Sequence, residues 1–192
     1  MSYSHIGGDS RASFPELESL FQTIESIMGY LPNSLLIMSK KPELMKAFQT
    51  LAGVVFSSKH LKSDLIQLIA LASSLSSGCK YCQAHTSHGA STAGVSEEKI
   101  NGILKYQESD YFNETEKAAL DLAFASGLSP NQTEKKHFEE LKKYFSKEAI
   151  IDIVSVISLF GWLNRWNDTL GTTVEDVPKK FVEQRLSPLG WK

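Results

Sequence analysis

The stretch from about Lys62 to Ser76 limits the possible folds more than any other part of the chain. Leu65, Ile66, Leu68, Ile69, Ala70, Leu71, Ala72 and Leu75 leave almost no polar stripe on a helix of that length. A helix apolar nearly all round has to be enclosed on most sides. Amphipathic segments at helical spacing are available to enclose it. Leu17, Leu20, Phe21, Ile24 and Ile27 share one face, as do Leu44, Ala47, Phe48, Leu51 and Val55. Later come Ala118, Leu122 and Ala125, an amphipathic run over 133–144 with lysines outside, and Ile150, Ile153, Val154, Ile157, Phe160 and Leu163. No segment alternates with period two long enough for a sheet, and no repeat of fixed period is present. The expectation is an all-α, multi-helical bundle of about eight or nine helices. It forms a single helical domain over 14–192 behind a flexible leader, 1–13.

Punctuation sets the expected boundaries. Ser13-Phe14-Pro15-Glu16 reads as a helix start, with Ser as cap and Pro in the first turn. Gly29-Tyr30-Leu31-Pro32-Asn33 is a turn before a short apolar helix, and Lys41-Pro42-Glu43 opens the third. Gly78 ends the apolar helix, and Gly94 is the left-handed cap of the next. Ser96 caps a short helix through Tyr106. Asn113 or Thr115 starts another that stops at Gly127, and Ser146 caps the longest, closed by Gly171. A last short helix is expected around 178–185.

With 42% hydrophobic and 22% charged residues and a formal charge of −2, the composition is that of an ordinary globular chain. No basic face for nucleic acid is implied. The first residues lack the apolar run of a signal peptide. The longest apolar stretch, 150–163, carries Asp152 and falls short of the roughly 20 residues that cross a bilayer. A cytoplasmic, reducing compartment is therefore expected, with no membrane partner. There a lone cysteine pair is redox-active or metal-binding rather than a structural staple.

That pair is Cys79 and Cys82, the only cysteines, followed by His85 and His88. The four spell C-x2-C-x2-H-x2-H, but on one straight helix they spread over about 13 Å of axis. Ligands about 2.0 to 2.3 Å from one zinc ion cannot be so arranged, so no metal is expected. An inert pair packed in a core is a second reading. The third is redox chemistry: α-carbons one helical turn apart, roughly 5 to 5.5 Å, suit a disulfide. A helix N-terminus behind a glycine favours a thiolate, at Cys79 above all. His85, at i+3 from Cys82, can reach its thiol; His88 lies on the far side. Asp64 serves the first turn of its helix, Trp162 and Trp166 read as packing, and Arg165 and Asp168 as an ion pair.

Gly78-Cys79-Lys80-Tyr81-Cys82 with a following histidine resembles the alkylhydroperoxidase D / carboxymuconolactone decarboxylase superfamily. Gly29-Tyr30-Leu31-Pro32-Asn33 with Lys41-Pro42-Glu43-Leu44 is similar to its N-terminal signature. The run from Phe160 to Asp168, with Asn164-Arg165, is similar to its late helix. The resemblance implies an all-helical homo-oligomer of dimers, trimers or hexamers. It also implies that Cys82 attacks a hydroperoxide and Cys79 resolves the product, the reverse of the helix-terminus argument. Two positions depart from the pattern. The relay glutamate twelve residues before the first cysteine is Gln67, which cannot take a proton. The relay histidine position is Thr86, with His85 one residue earlier.

The expected site is therefore Cys82, Cys79, His85 and Gln67, with no cofactor. The expected activity is a thiol-dependent peroxidase of peroxiredoxin type, or disulfide exchange. It takes a hydroperoxide or disulfide as substrate and an external thiol or dithiol as reductant. The alternative is a non-catalytic helical oligomer serving as a redox sensor or partner-binding module. Lactone decarboxylation does not depend on a CxxC pair, so the sequence points away from it.

Overall fold

A computed structural model describes residues 2–186 of the chain. The end of the expected domain, 187–192, and Met1 of the leader lie outside the described residues. Ten α-helices follow one another: α1 Glu18–Met28, α2 Asn33–Met38, α3 Pro42–Phe56, α4 Ser63–Ser77, α5 Lys80–Thr92, α6 Glu97–Gly102, α7 Glu114–Gly127, α8 Lys135–Leu141, α9 Lys147–Leu170 and α10 Asp176–Arg185. Short 3-10 segments sit at Arg11–Ser13, Pro15–Leu17 and Ile103–Glu108, and no strand occurs among the described residues. The all-α class expected from periodicity is what the structure shows.

The apolar helix α4 is the hub. Its residues from Leu68 to Ser74 are all buried, and it packs on α5, α7 and α9. Burying a leucine or isoleucine side chain stabilises by about 1.5–3 kcal/mol, so enclosing both sides of α4 dictates where its neighbours lie. A second, smaller core of Phe14, Leu17, Phe21, Met38 and Met45 joins α1, α2 and α3. Phe48 and Leu163 pack against both cores and tie them together.

Several boundaries shift for identifiable reasons. The first helix does not start α-helical at Pro15 but passes through a 3-10 turn, and Ser13 makes no cap. Phe14 and Leu17 are both buried there, and side chains three apart eclipse in a 3-10 turn. The helix expected to reach Tyr106 gives way to 3-10 geometry at Ile103, broken at Lys105. Elsewhere the caps fall as expected. Asn113 and Glu116 form a capping box, Ser146 Oγ accepts from the Ala149 amide at 3.2 Å, and Gly171 closes α9 at φ 58°. The exposed Arg165 and Asp168 make no ion pair with each other.

Helix α9, at 24 residues, extends well past the 150–163 apolar run and is long and apolar enough to cross a membrane by length and composition. Here Ile150, Ile153, Val156, Ile157 and Phe160 are buried in the main core, and the helix packs on α3, α4, α5 and α7. The leader lies along the chain that follows α9. The His5 amide donates to Leu170 O at 2.7 Å, and Tyr3 O accepts from the Thr173 amide at 2.9 Å. That linker, 171–175, leads directly over the cysteines.

Candidate functional site

The chain leaves α4 through Gly78 at φ 81°, a conformation that suits glycine. Cys79 then takes the N-cap of α5, and its Sγ accepts from the Cys82 amide at 3.4 Å. A sulfur thus sits where a serine or aspartate oxygen usually caps a helix. Both cysteines are free and buried, 1% and 3% exposed. The hydrogen bond from the Cys82 thiol, against the opposing effect of burial, draws the Cys79 thiol below its ordinary range, helped by the Cys82 and Tyr81 amides. Burial, then the neighbouring Cys79, holds the Cys82 thiol well above its range. Cys79 is the sulfur that ionises first, which agrees with the helix-terminus argument.

Asn167, from the last turns of α9, donates its Nδ2 to Cys82 Sγ at 3.6 Å and to Leu163 O at 3.0 Å. Its Oδ1 is buried without a protein partner, as are Thr172 Oγ1 and Ser34 Oγ close by. Leu163 and Val174 pack against the cluster of Cys79, Tyr81 and Cys82.

One turn along α5, His85 stacks on Tyr81 with ring centroids 4.2 Å apart. Its Nε2 lies 2.6 Å from Glu175 Oε2, and its Nδ1 lies 3.1 Å from the Tyr30 hydroxyl. The same carboxylate receives the Tyr81 hydroxyl at 2.8 Å and the Asn33 amide that opens α2. The Tyr81 hydroxyl in turn accepts from the Ser34 amide at 3.2 Å. His85 and Glu175 side chains are 11% and 12% exposed, so this cluster is largely withdrawn from water. Burial first, and the charge of Glu175 second, raise both tyrosines above the ordinary phenol range. Both therefore stay neutral donors at ordinary pH.

Of the residues singled out in sequence, Cys79, Cys82 and His85 follow one another at three-residue steps along the start of α5. Gln67 stands apart. Its side chain lies over Gly89, where an added Cβ would meet Gln67 Oε1 at 2.7 Å. Gly89 is seven residues beyond Cys82, about 10 Å along the helix axis. Thr86 is buried and spends its hydroxyl on Cys82 O at 2.6 Å. His88 faces Phe181 edge-on at 5.5 Å, its proton affinity lowered by burial and by His85.

Four residues of this neighbourhood were missed in sequence: Tyr30, Tyr81, Asn167 and Glu175. The first three sit inside segments already noticed for other reasons. Glu175 sits in none, and only its place ahead of the last helix marks it. Among the described residues no three histidine, cysteine or acidic side chains converge as a metal ion would require. A cavity of about 320 Å³ between α7, α8 and α9, lined by Leu122, Ser126, Thr133, Phe138 and Val154, contains none of the site residues.

Comparisons with known proteins place these features in a wider set. The pattern of the "Carboxymuconolactone decarboxylase family" matches residues 42–125. The uncharacterized protein YdfG of Bacillus subtilis (strain 168) is 29% identical over 103 residues, 53% of this chain and 67% of that protein. Among solved structures, a cysteine-to-alanine variant of the debrominase Bmp8 in complex with 2,3,4-tribromopyrrole is 38% identical. It superposes with a TM-score of 0.87 over 92% of this chain and 95% of that one. An alkylhydroperoxidase AhpD core, an uncharacterized peroxidase-related protein from Ralstonia eutropha JMP134, is 20% identical. It shares the fold at a TM-score of 0.82 over 95% of this chain and 96% of that one.

Proposed function

We propose that this chain, which belongs to the carboxymuconolactone decarboxylase / alkylhydroperoxidase D superfamily, is a dithiol oxidoreductase that reduces a hydroperoxide or a disulfide through Cys82 and Cys79. One observation carries the reading. Two free, buried thiols stand one helical turn apart, the first capping the helix and held below its ordinary pKa by hydrogen bonds from the second cysteine's thiol and amide.

The chemistry balances on these residues. Cys82 sulfur, the attacking one in the family resemblance, attacks the distal oxygen of a hydroperoxide, and its proton passes to the Cys79 thiolate. A sulfur–oxygen bond forms and the oxygen–oxygen bond breaks. The leaving alkoxide takes a proton carried by His85. Cys79 sulfur then attacks the Cys82 sulfenic acid; a disulfide forms, and the departing hydroxide takes the Cys79 proton as water. An external dithiol reduces the disulfide and returns two protons.

The 38% identity to a debrominase over nearly the whole chain favours a second reading, reductive debromination of a small aromatic ring. There Cys82 sulfur takes the bromine, the ring carbon keeps the electron pair and gains a proton, and Cys79 expels bromide as the disulfide closes.

The test is stopped-flow loss of thiols from the reduced protein mixed with an organic hydroperoxide, with an oxidised dithiol, or with a bromopyrrole, while bromide is followed in the last. Two thiols lost per molecule of substrate, and none in Cys82→Ser, is the expected result. Thiol loss no faster than free cysteine with all three would leave the non-catalytic alternative. The protein is further proposed to work as a homo-oligomer, for which α3 offers Leu51 and Val54, 53% and 68% exposed. Sedimentation of the wild type against Val54→Lys tests this.

A further inference from the structure

We infer that Glu175 is the positioning carboxylate of this site, acting through His85 in the role that Gln67 cannot fill. The inference rests on the dithiol reading above and deepens it. Glu175 arrives from the linker after α9, 94 residues beyond Tyr81 and 90 beyond His85. No local capping motif requires it to be there. Its side chain leaves the start of α10 uncapped and turns inward instead. Each of its oxygens is used, Oε2 by His85 and Oε1 by Tyr81 and the Asn33 amide.

This geometry sets the imidazole's work. A carboxylate at Nε2 keeps that nitrogen protonated and orients the ring, so Nδ1 is the nitrogen that exchanges a proton. Nδ1 faces the half-buried Tyr30 hydroxyl, whose high pKa keeps it a neutral donor. A proton leaving Nδ1 passes to Tyr30 oxygen as the Tyr30 proton goes to the substrate's leaving atom. Imidazole charge is lost in the step, and the buried carboxylate stabilises it beforehand. The titratable groups facing His85 among the described residues are Glu175, Tyr30, Tyr81 and His88, and the bonds that Glu175 accepts there come from His85, Tyr81 and the Asn33 amide.

Glu175→Gln keeps an oxygen for the Asn33 amide and Tyr81 but removes the charge. Expected is at least a tenfold fall in the rate of thiol oxidation near neutral pH, with the limb of the pH–rate profile that reports His85 displaced. Glu175→Asp recovers part of the rate, and Tyr30→Phe lowers it several-fold. A merely structural Glu175 would instead lower the melting temperature with an unmoved pH profile, and that result overturns the inference, as does an unchanged rate in Glu175→Gln. Gln67→Glu accelerating the wild type would also overturn it, by showing the relay at its family position. A second readout needs no activity. In the wild type the His85 Nε2 proton appears in NMR spectra as a slowly exchanging, low-field signal, and in Glu175→Gln it moves upfield or is lost. If the signal behaves so while no electrophile consumes thiols, the dithiol reading fails and the placement of Glu175 stands. If it is absent from the wild type, the placement itself is wrong.

Discussion

At the residue scale, the two cysteines are three positions apart and chemically unlike. Cys79 accepts from the Cys82 amide at the start of α5, and Cys82 sits a turn further along, bonded by Asn167 Nδ2. With one cysteine left in each variant, alkylation rates followed against pH should rise earlier for Cys79 (in Cys82→Ser) than for Cys82 (in Cys79→Ser). The two curves should coincide in denaturant; the reverse order in the folded protein would refute the assignment. Tyr81 makes a pH-dependent contribution of known sign. Its folded pKa is raised, so its share of stability is fully present below the unfolded phenol value of about 10 and is lost as pH climbs from there towards the folded value. Urea midpoints at pH 8.5 and 10.5 should therefore diverge more in the wild type than in Tyr81→Phe. The nearness of the cysteine pair and His85 was legible because it depends only on spacing along one helix. Glu175 was not, because a contact across 90 residues leaves no mark in local spacing. That Gln67 lies over Gly89 was hidden for the same reason: a position in a family pattern says nothing of where α4 slides against α5.

At the element scale, the all-round apolar character of α4 was enough to place it at the centre. Ends were less legible than existence. A 3-10 entry at Pro15 and the break at Lys105 follow from which side chains the core accepts, and that is settled by tertiary packing. The α4–α7 contact shows how close such packing can be. A Cβ on Gly127 would stand 2.9 Å from Ser73 O and 2.7 Å from Ser76 Cβ, and Ser76 Oγ bonds Phe124 O at 2.5 Å. Gly127→Ala should cost about 1–3 kcal/mol through this overpacking, read as a lower urea midpoint with an unchanged slope. A neutral result would mean the two helices part at no cost.

At the scale of the whole molecule, the site is assembled from distant parts of the chain: the turn before α2, the start of α5, the end of α9 and the linker into α10. The leader braces that linker through the Tyr3–Thr173 and His5–Leu170 hydrogen bonds. Val174 packs against the cluster of Cys79, Tyr81 and Cys82, so Val174→Ala should speed the reaction of the thiols with a small neutral disulfide several-fold without lowering the thiol count. An unchanged rate would place the entry route elsewhere. Val174 and Glu175 are neighbours in sequence, and this has a consequence for timing. Any motion that lifts residue 174 off the cysteines also draws residue 175 away from His85. On the dithiol reading, exposure of the sulfurs and readiness of the acid would thus be mutually exclusive states of one short segment. An oxidant that struck such an open form would then meet a nucleophile without its proton source. On that reading, only a molecule small enough to be sealed in would be carried through to the disulfide, and the linker would work as an interlock that makes enclosure a condition of reaction.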